Sequence, residues 1–175
     1  MRLPGFKYHP DPIGTGAIVP SSETCECCGF ARGYRYSRPI LARTEIENVC
    51  PWCIADGSAC RKFDADINEV GSLQGDGIAA SIREEIATRT PGYVSWQGEN
   101  WLSCCDDACE FWGDASAQDV RRIDRHRDVF PKHTLTVSDI EWFKIVRNYE
   151  PAGNPTFYKF VCRHCRRVKY AWYCD

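Results

Sequence analysis

The chain has 175 residues, of which 43% are hydrophobic, and a net charge of −2. This length suits one domain or two small lobes, and a pI of about 6.1 argues against a nucleic-acid binder, whose surface is normally basic. No stretch approaches the ~20 apolar residues of a membrane span, and the N-terminus lacks the apolar run of a signal peptide. We therefore expect a cytoplasmic protein, in which the twelve cysteines stay reduced and favour metal binding over disulfides.

The first part of the chain is rich in residues that prevent helix formation. Prolines stand at positions 4, 10, 12 and 20. Because proline fixes φ and removes a backbone donor, residues 4–20 are predicted to form an extended arm. Aromatic and polar residues alternate over residues 33–36, which predicts a short strand. Residues 53–64 are predicted to form a short helix ending near Phe63, with an interruption around Gly57.

The middle of the chain contains one clear helical pattern. Ile78, Ile82 and Ile86 recur at a spacing of four residues, which places them on one face of a helix over residues 78–88. Pro91 and the glycine after it are expected to end this helix.

The last third of the chain carries two predicted helix starts and a hairpin. Ser116 and Ser138 each stand before a short apolar run, as N-cap residues do. Residues 156–161 and 167–172 read as strands on either side of a C-x2-C pair. A strand, a metal-binding turn and a second strand form the hairpin of a zinc ribbon.

The first predicted metal site comprises Cys25, Cys28, Cys50 and Cys53. Two C-x2-C pairs about twenty residues apart supply two thiolates each to a tetrahedral zinc ion. A site with four thiolates has no vacant coordination position, so we interpret it as structural. Cys27 is the alternative to one of the first pair.

The second predicted site comprises Cys162 and Cys165 together with Cys105 and Cys109. The spacing between Cys105 and Cys109 fits the first turn of a helix, where residues four apart share a face. Several residues are alternative ligands, namely Cys104, His126, His133, His164 and Cys174. A protein with one zinc ion and free later cysteines is the other interpretation.

A catalytic site is harder to recognise. His9 lies close to Asp11 in a proline-rich segment, and a histidine beside a carboxylate can act as an acid–base pair. A hydrogen-bonded surface arm is the simpler interpretation. No phosphate-binding loop or nucleophile elbow is present. Cys27 and Cys60 are reactive only beside a cation, so packing roles are expected for both.

Aromatic residues after the predicted helix give a hypothesis about binding. Tyr93, Trp96 and Trp101 lie in a polar, loop-rich stretch and are candidates for an exposed interface patch. Packing in the core is the competing explanation.

Five segments carry a resemblance to a known family: Tyr8-His9-Pro10-Asp11-Pro12, Cys25-Glu26-Cys27-Cys28-Gly29, the eight residues from Cys50 to Gly57, Arg89-Thr90-Pro91-Gly92-Tyr93 with Ser95-Trp96-Gln97, and the stretch from Trp101 to Trp112. In these the chain resembles the CbrC family of bacterial proteins, named for a colicin-tolerance protein. The resemblance implies a cytoplasmic protein linked to tolerance of a DNA-cleaving toxin, and it implies no enzymatic activity.

Together these observations predict an α+β fold in which two structural zinc ions hold small β hairpins and two or three helices. We expect one domain over residues 1–175, with a first metal lobe at about 21–64 and a second at about 101–175. The main functional hypothesis is a non-catalytic, immunity-like protein that binds a protein partner such as a nuclease toxin. The alternatives are a nucleic-acid-associated zinc ribbon and an enzyme with a site near His9.

Overall fold

The computed structural model describes residues 2–95, 98–123 and 138–173. Within these ranges the helices are α1 (Pro51–Ala55), α2 (Ser58–Phe63), α3 (Gly71–Gly75), α4 (Ala80–Arg89), α5 (Ala117–Arg121) and α6 (Asp139–Asn148). The strands are β1 (Ile18–Pro20), β2 (Tyr34–Tyr36), β3 (Ser103–Cys104), β4 (Asp107–Ala108), β5 (Glu110–Asp114), β6 (Thr156–Val161) and β7 (Val168–Tyr173). The α+β class is confirmed.

The strands form three small antiparallel sheets. β1 pairs with β2, β3 pairs with β4, and the third sheet has the order β5-β6-β7. The β6–β7 hairpin is regular from Thr156 opposite Tyr173 to Val161 opposite Val168, and the C-x2-C turn follows directly. The predicted strands at 156–161 and 167–172 are therefore confirmed, the second shifted by one residue.

Local sequence signals explain several helix boundaries. Ser116 and Ser138 both form capping boxes, with Asp119 and Glu141 at the third helical position, as the sequence predicted. The predicted interruption after α1 is also present, because Gly57 adopts a positive φ of 71° between α1 and α2. The prediction of two or three helices is wrong, since the described residues contain six. Four of these helices have only five or six residues, too short to show a full apolar period in the sequence.

Buried apolar side chains form three clusters. The central cluster surrounds Trp101 and Phe160, and a second cluster encloses Cys25, Cys50 and Cys53. The third cluster surrounds Phe157 below α5 and α6. Strand β6 separates the first cluster from the third, because successive side chains of a strand point to opposite faces.

The helices of the described ranges are short. None of them combines the length and the apolar character that crossing a membrane requires.

Candidate metal centres

The first candidate centre, called here the first centre, consists of Cys25, Cys28, Cys50 and Cys53. The Sγ–Sγ distances are 3.9 Å for Cys25–Cys53, 3.9 Å for Cys28–Cys50 and 3.6 Å for Cys50–Cys53. A tetrahedral ion with bonds of about 2.3 Å to sulfur separates its ligands by about 3.8 Å. Disulfide sulfurs lie only about 2 Å apart. The four thiols are therefore spaced to hold one metal ion.

Two tight backbone turns bring these thiols together. In the first, the N–H of Gly29 donates to the carbonyl oxygen of Cys25 at 2.8 Å, and Gly29 adopts a φ of 74°. This left-handed conformation favours glycine, so Gly29 permits the turn that aims both thiols inward. In the second, Cys50 caps α1 and Pro51 occupies the first helical turn, which places Cys53 on the same side as Cys50.

Burial affects the protonation of two thiols of the first centre. It raises the pKa of the Cys50 thiol to about 11 and that of Cys53 further. Buried thiols without a nearby cation therefore stay protonated at neutral pH. A bound dication reverses this preference, because a coordinating thiol is deprotonated by the charge of the ion.

The second candidate centre, called here the second centre, consists of Cys104, Cys105, Cys162 and Cys165. Their sulfur atoms all lie within 4.8 Å of one another. The Sγ of Cys104 is 3.8 Å from that of Cys105 and 3.7 Å from that of Cys165. These distances again match the edges of a tetrahedron of thiolates. This centre lies nearer the surface than the first, since Cys105 and Cys165 are exposed.

The second centre differs from the predicted one in a single residue. Cys104 takes the place that the spacing gave to Cys109, because the segment forms the β3–β4 hairpin and not a helical turn. Cys105 and Asp106 make the turn with φ values of 54° and 57°, which lets the adjacent Cys104 and Cys105 face the same point. Cys109 lies beyond the hairpin in the central cluster, where burial raises its pKa to about 12.

The C-x2-C turns of the two centres follow the same design. The N–H of Arg166 donates to the carbonyl oxygen of Cys162 at 3.1 Å, as that of Gly29 does in the first turn, and Arg166 has a φ of 58°. In each turn, the last thiol accepts a hydrogen bond from the backbone N–H of the residue two positions later in the chain. The bond from Arg167 lowers the pKa of Cys165 to about 7. Cys28 reaches about 7 because a bond from Phe30 and the neighbouring sulfurs outweigh its burial.

A buried carboxylate fastens the second turn to the rest of the fold. Asp107 accepts hydrogen bonds from Tyr8 Oη at 2.7 Å, Arg163 Nη1 at 3.0 Å and His164 Nε2 at 2.9 Å. Burial opposes ionisation of Asp107, but these three donors together lower its pKa. His164, an alternative ligand by sequence, therefore supports the second centre from outside the group of four thiols.

The remaining candidate thiols have other surroundings. The Sγ of Cys27 lies 3.5 Å from Ser58 Oγ, and Cys60 is buried in the apolar cluster around the first centre. Burial raises the pKa of Cys60 to about 11, which keeps the thiol protonated at neutral pH and favours a packing role. Three of the alternative ligands, His126, His133 and Cys174, lie outside the described residues.

His9 is a structural residue of the arm. It is fully buried, its Nδ1 donates to the carbonyl oxygen of Pro91 at 2.7 Å, and its Nε2 accepts from Thr15 Oγ1 at 2.7 Å. Burial lowers the pKa of His9 to about 4, so the ring is neutral at physiological pH. A histidine shielded from solvent with both nitrogens engaged holds the arm on the segment after α4 and has no free nitrogen for acid–base catalysis.

This burial predicts a pH dependence of stability. The folded protein holds His9 with a pKa of about 4, and the unfolded chain with one of about 6.5, so the unfolded state binds more protons between these values. The contribution of His9 to the free energy of unfolding is thus complete above pH 6.5 and is lost as the pH falls. We expect a loss of about 2 kcal/mol between pH 7.5 and pH 5 from this residue.

The measurement is urea unfolding of the wild type and of His9→Asn at pH 7.5, 6 and 5. Asparagine keeps a donor for Pro91 but does not titrate, so the difference in stability between the two proteins should narrow as the pH falls. A constant difference would show that His9 is not held neutral in the fold.

The proposed aromatic patch is corrected by the structure. Tyr93 and Trp101 are both buried, with ring centroids 5.8 Å apart. Trp101 Nε1 donates to the carbonyl oxygen of Cys109 at 2.9 Å. These rings form the central cluster, as the competing explanation held, while Trp96 lies outside the described residues.

Comparison with known proteins gives relatives along nearly the whole chain. The chain is 43% identical over 170 residues to a UPF0167 protein of Pseudomonas aeruginosa, covering 96% of this chain and 95% of the relative. It is 38% identical over 170 residues to UPF0167 proteins of Mycobacterium bovis and Mycobacterium tuberculosis, covering 94% of this chain and 90% of each relative. No solved structure matches.

The family match corrects the resemblance drawn from the sequence. The segments around the first centre and the arm suggested the CbrC family, but the matching family model is described as "Uncharacterised protein family (UPF0167)" and spans residues 3–175. The toxin-tolerance role implied by that resemblance loses its support with it. The chain belongs to the uncharacterised protein family UPF0167.

Proposed function

We propose that this protein is a non-catalytic binding protein held together by two structural zinc ions. The observation that carries the proposal is the convergence of eight thiols into two groups of four, each spaced for a tetrahedral ion. Four soft thiolates in tetrahedral arrangement select zinc or iron among the common metals. A centre with all four positions taken by protein leaves none for a substrate, which supports a structural role.

Features around the first centre support binding to another protein. Phe30 follows the first turn and leaves 63% of its surface exposed. The guanidinium of Arg32 lies over the rings of both Phe30 and Trp52, at 5.7 Å and 5.5 Å. Aromatic and arginine side chains provide most of the energy at protein interfaces, and the cation favours a partner that presents acidic side chains.

The nucleic-acid alternative has less support. The second turn carries several cations, but Arg163 pairs with Asp107 at 3.0 Å and Arg166 with Glu110 at 3.2 Å. Lys169 donates to the carbonyl oxygen of Ser103. Cations engaged by the protein itself are less available for phosphate, so the local charge does not build a basic face.

Metal analysis tests the proposal directly. Protein purified without added metal should contain about two zinc ions per chain, as the four-thiol groups require. Cys105→Ser removes an exposed thiol of the second centre and should leave one ion. Cys109→Ala removes a buried thiol outside both groups and should leave two.

Each alternative result has a definite meaning. Bound iron, together with a visible absorption band, would show that the centres hold iron and not zinc. A value near zero in a folded protein would remove the proposal, and loss of one ion in Cys109→Ala would return Cys109 to the ligand set.

A further inference from the structure

A cleft of about 510 Å³ lies beside the arm, and no cysteine of either metal centre lines it. One wall is formed by the arm, around Thr15, and the other by β5 and β6 of the three-stranded sheet. Four aromatic side chains line part of it, namely Tyr93, Phe111, Trp112 and Tyr158. Trp112 is exposed, whereas the other three are largely buried. Pockets of this volume with an aromatic lining and a few polar groups are the usual sites of small-molecule binding.

Arg38 brings a positive charge to this cleft. Its Nη2 donates to the carbonyl oxygen of Thr15 at 3.2 Å, while its Nε is buried without a hydrogen-bond partner. Within the parts of the chain that the structure describes, no carboxylate forms an ion pair with Arg38. A guanidinium offers five donors in a planar fork, so Arg38 has unused capacity to bind a carboxylate.

Two carboxylates line the same cleft. Asp11 Oδ1 accepts from the backbone N–H of Gly14 at 2.9 Å, and Asp114 extends from the end of β5. Burial raises the pKa of Asp114, although a backbone hydrogen bond from Ala152 and the charge of Arg38 oppose this. Among the described residues, neither carboxylate forms a close ion pair, although the charge of Arg38 acts on Asp114 at longer range. The cleft therefore presents a guanidinium with spare donors and two carboxylates outside close ion pairs, which suits a ligand that carries both an anionic and a cationic group.

The backbone also keeps this cleft free. Gly113 adopts a φ of 84°, and a Cβ built there would lie 3.1 Å from Thr15 Cγ2. A side chain at this position would be strained and would press against the arm wall. The two walls therefore approach each other at a residue without a side chain.

We propose that this cleft binds a small zwitterionic molecule with an aromatic or apolar body, such as an aromatic α-amino acid. Its carboxylate binds to Arg38, its ammonium group binds to Asp11 or Asp114, and its body packs on Trp112 and Tyr158. Trp112 is 42% exposed, and its Nε1 donates a hydrogen bond to Glu110 Oε2 at 3.1 Å. Its ring is therefore available at the rim of the cleft.

The test uses three probes on the full-length, metal-loaded protein. L-phenylalanine carries both charges, phenethylamine lacks the carboxylate and 3-phenylpropionate lacks the ammonium group. Titration calorimetry should give a dissociation constant below about 1 mM for L-phenylalanine and at least about tenfold weaker binding for the other two, because each loses one charged contact.

Variants assign the contacts. Arg38→Gln should weaken L-phenylalanine about tenfold or more and leave phenethylamine unchanged, whereas the exposed Arg43→Gln should alter neither. Trp112→Leu, at the exposed rim, should weaken all three probes and provides a second variant if Arg38→Gln fails to fold. Absence of binding by every probe, equal binding of all three, or unchanged affinity in folded Arg38→Gln and Trp112→Leu would overturn the proposal.

Discussion

Replacing Cys53 by serine is expected to unfold the region around the first centre, whereas replacing Cys60 by alanine is expected to leave it folded. Both thiols are buried in the same apolar cluster, but only Cys53 belongs to the four-thiol group. Apparent binding free energies of structural zinc reach about 10–16 kcal/mol, comparable to the whole stability of a domain. Losing one of four thiolates therefore removes more stabilising free energy than the remaining packing can supply.

The comparison between these two variants separates metal binding from packing. Cys60→Ala deletes one buried sulfur and should cost about 1 kcal/mol. Cys53→Ser should lose one zinc ion and cost more than about 5 kcal/mol. Thermal melts and zinc content measured on both variants decide between these outcomes, and equal losses would show that the ligand set is wrong.

Replacing Asp107 by asparagine is expected to cost about 3 kcal/mol at pH 7, because it removes a buried charge and leaves three donors facing an amide that cannot accept from all of them. The carboxylate side chain is only 8% exposed and accepts from Arg163 at 3.0 Å. It joins the arm, through Tyr8, to the turn that presents Cys162 and Cys165. The loss should therefore loosen the arm and the second centre together.

Asp106→Asn is the matched control, because Asp106 stands next in the chain in the hairpin turn, where asparagine is well tolerated. The folded protein lowers the pKa of Asp107, so its contribution is present above its unfolded pKa of about 3.9 and is lost as the pH falls through the lower folded value. The difference in the free energy of unfolding between the two variants, measured by urea unfolding, should be present at pH 7 and should narrow below about pH 4. Equal stability at pH 7 would contradict the proposed role of Asp107.

The first centre was predictable because its information is local. Each half consists of two cysteines three positions apart, and the turn needs only a glycine or a helix start beside them. The second centre was only half predictable. The four-residue spacing of Cys105 and Cys109 fits a helix, and nothing in the spacing reveals that Cys105 adopts a left-handed conformation. That conformation depends on how β3 and β4 pair.

The caps show the same division between local and distant information. Ser116 and Ser138 were recognised because a capping box involves residues three apart. The burial of His9 was not visible, because its partner Pro91 lies 82 residues along the chain. The α3 segment was missed since its sequence, Gly-Ser-Leu-Gln-Gly, has few helix-favouring residues, and Leu73 is held there by the central cluster. Tertiary packing outweighs propensity at such places.

The position of the arm has a consequence for synthesis on the ribosome. The first centre has all four thiols once Cys53 has emerged, so that part of the nascent chain can fold early. Tyr8 must wait for Asp107, which lies 99 residues downstream, before its hydroxyl is bonded. Contacts so distant in sequence form late and slowly. A translating ribosome therefore carries an N-terminal region in which all four thiols of the first centre are present, while the hydroxyl of Tyr8 stays without its partner until Asp107 in β4 has been made.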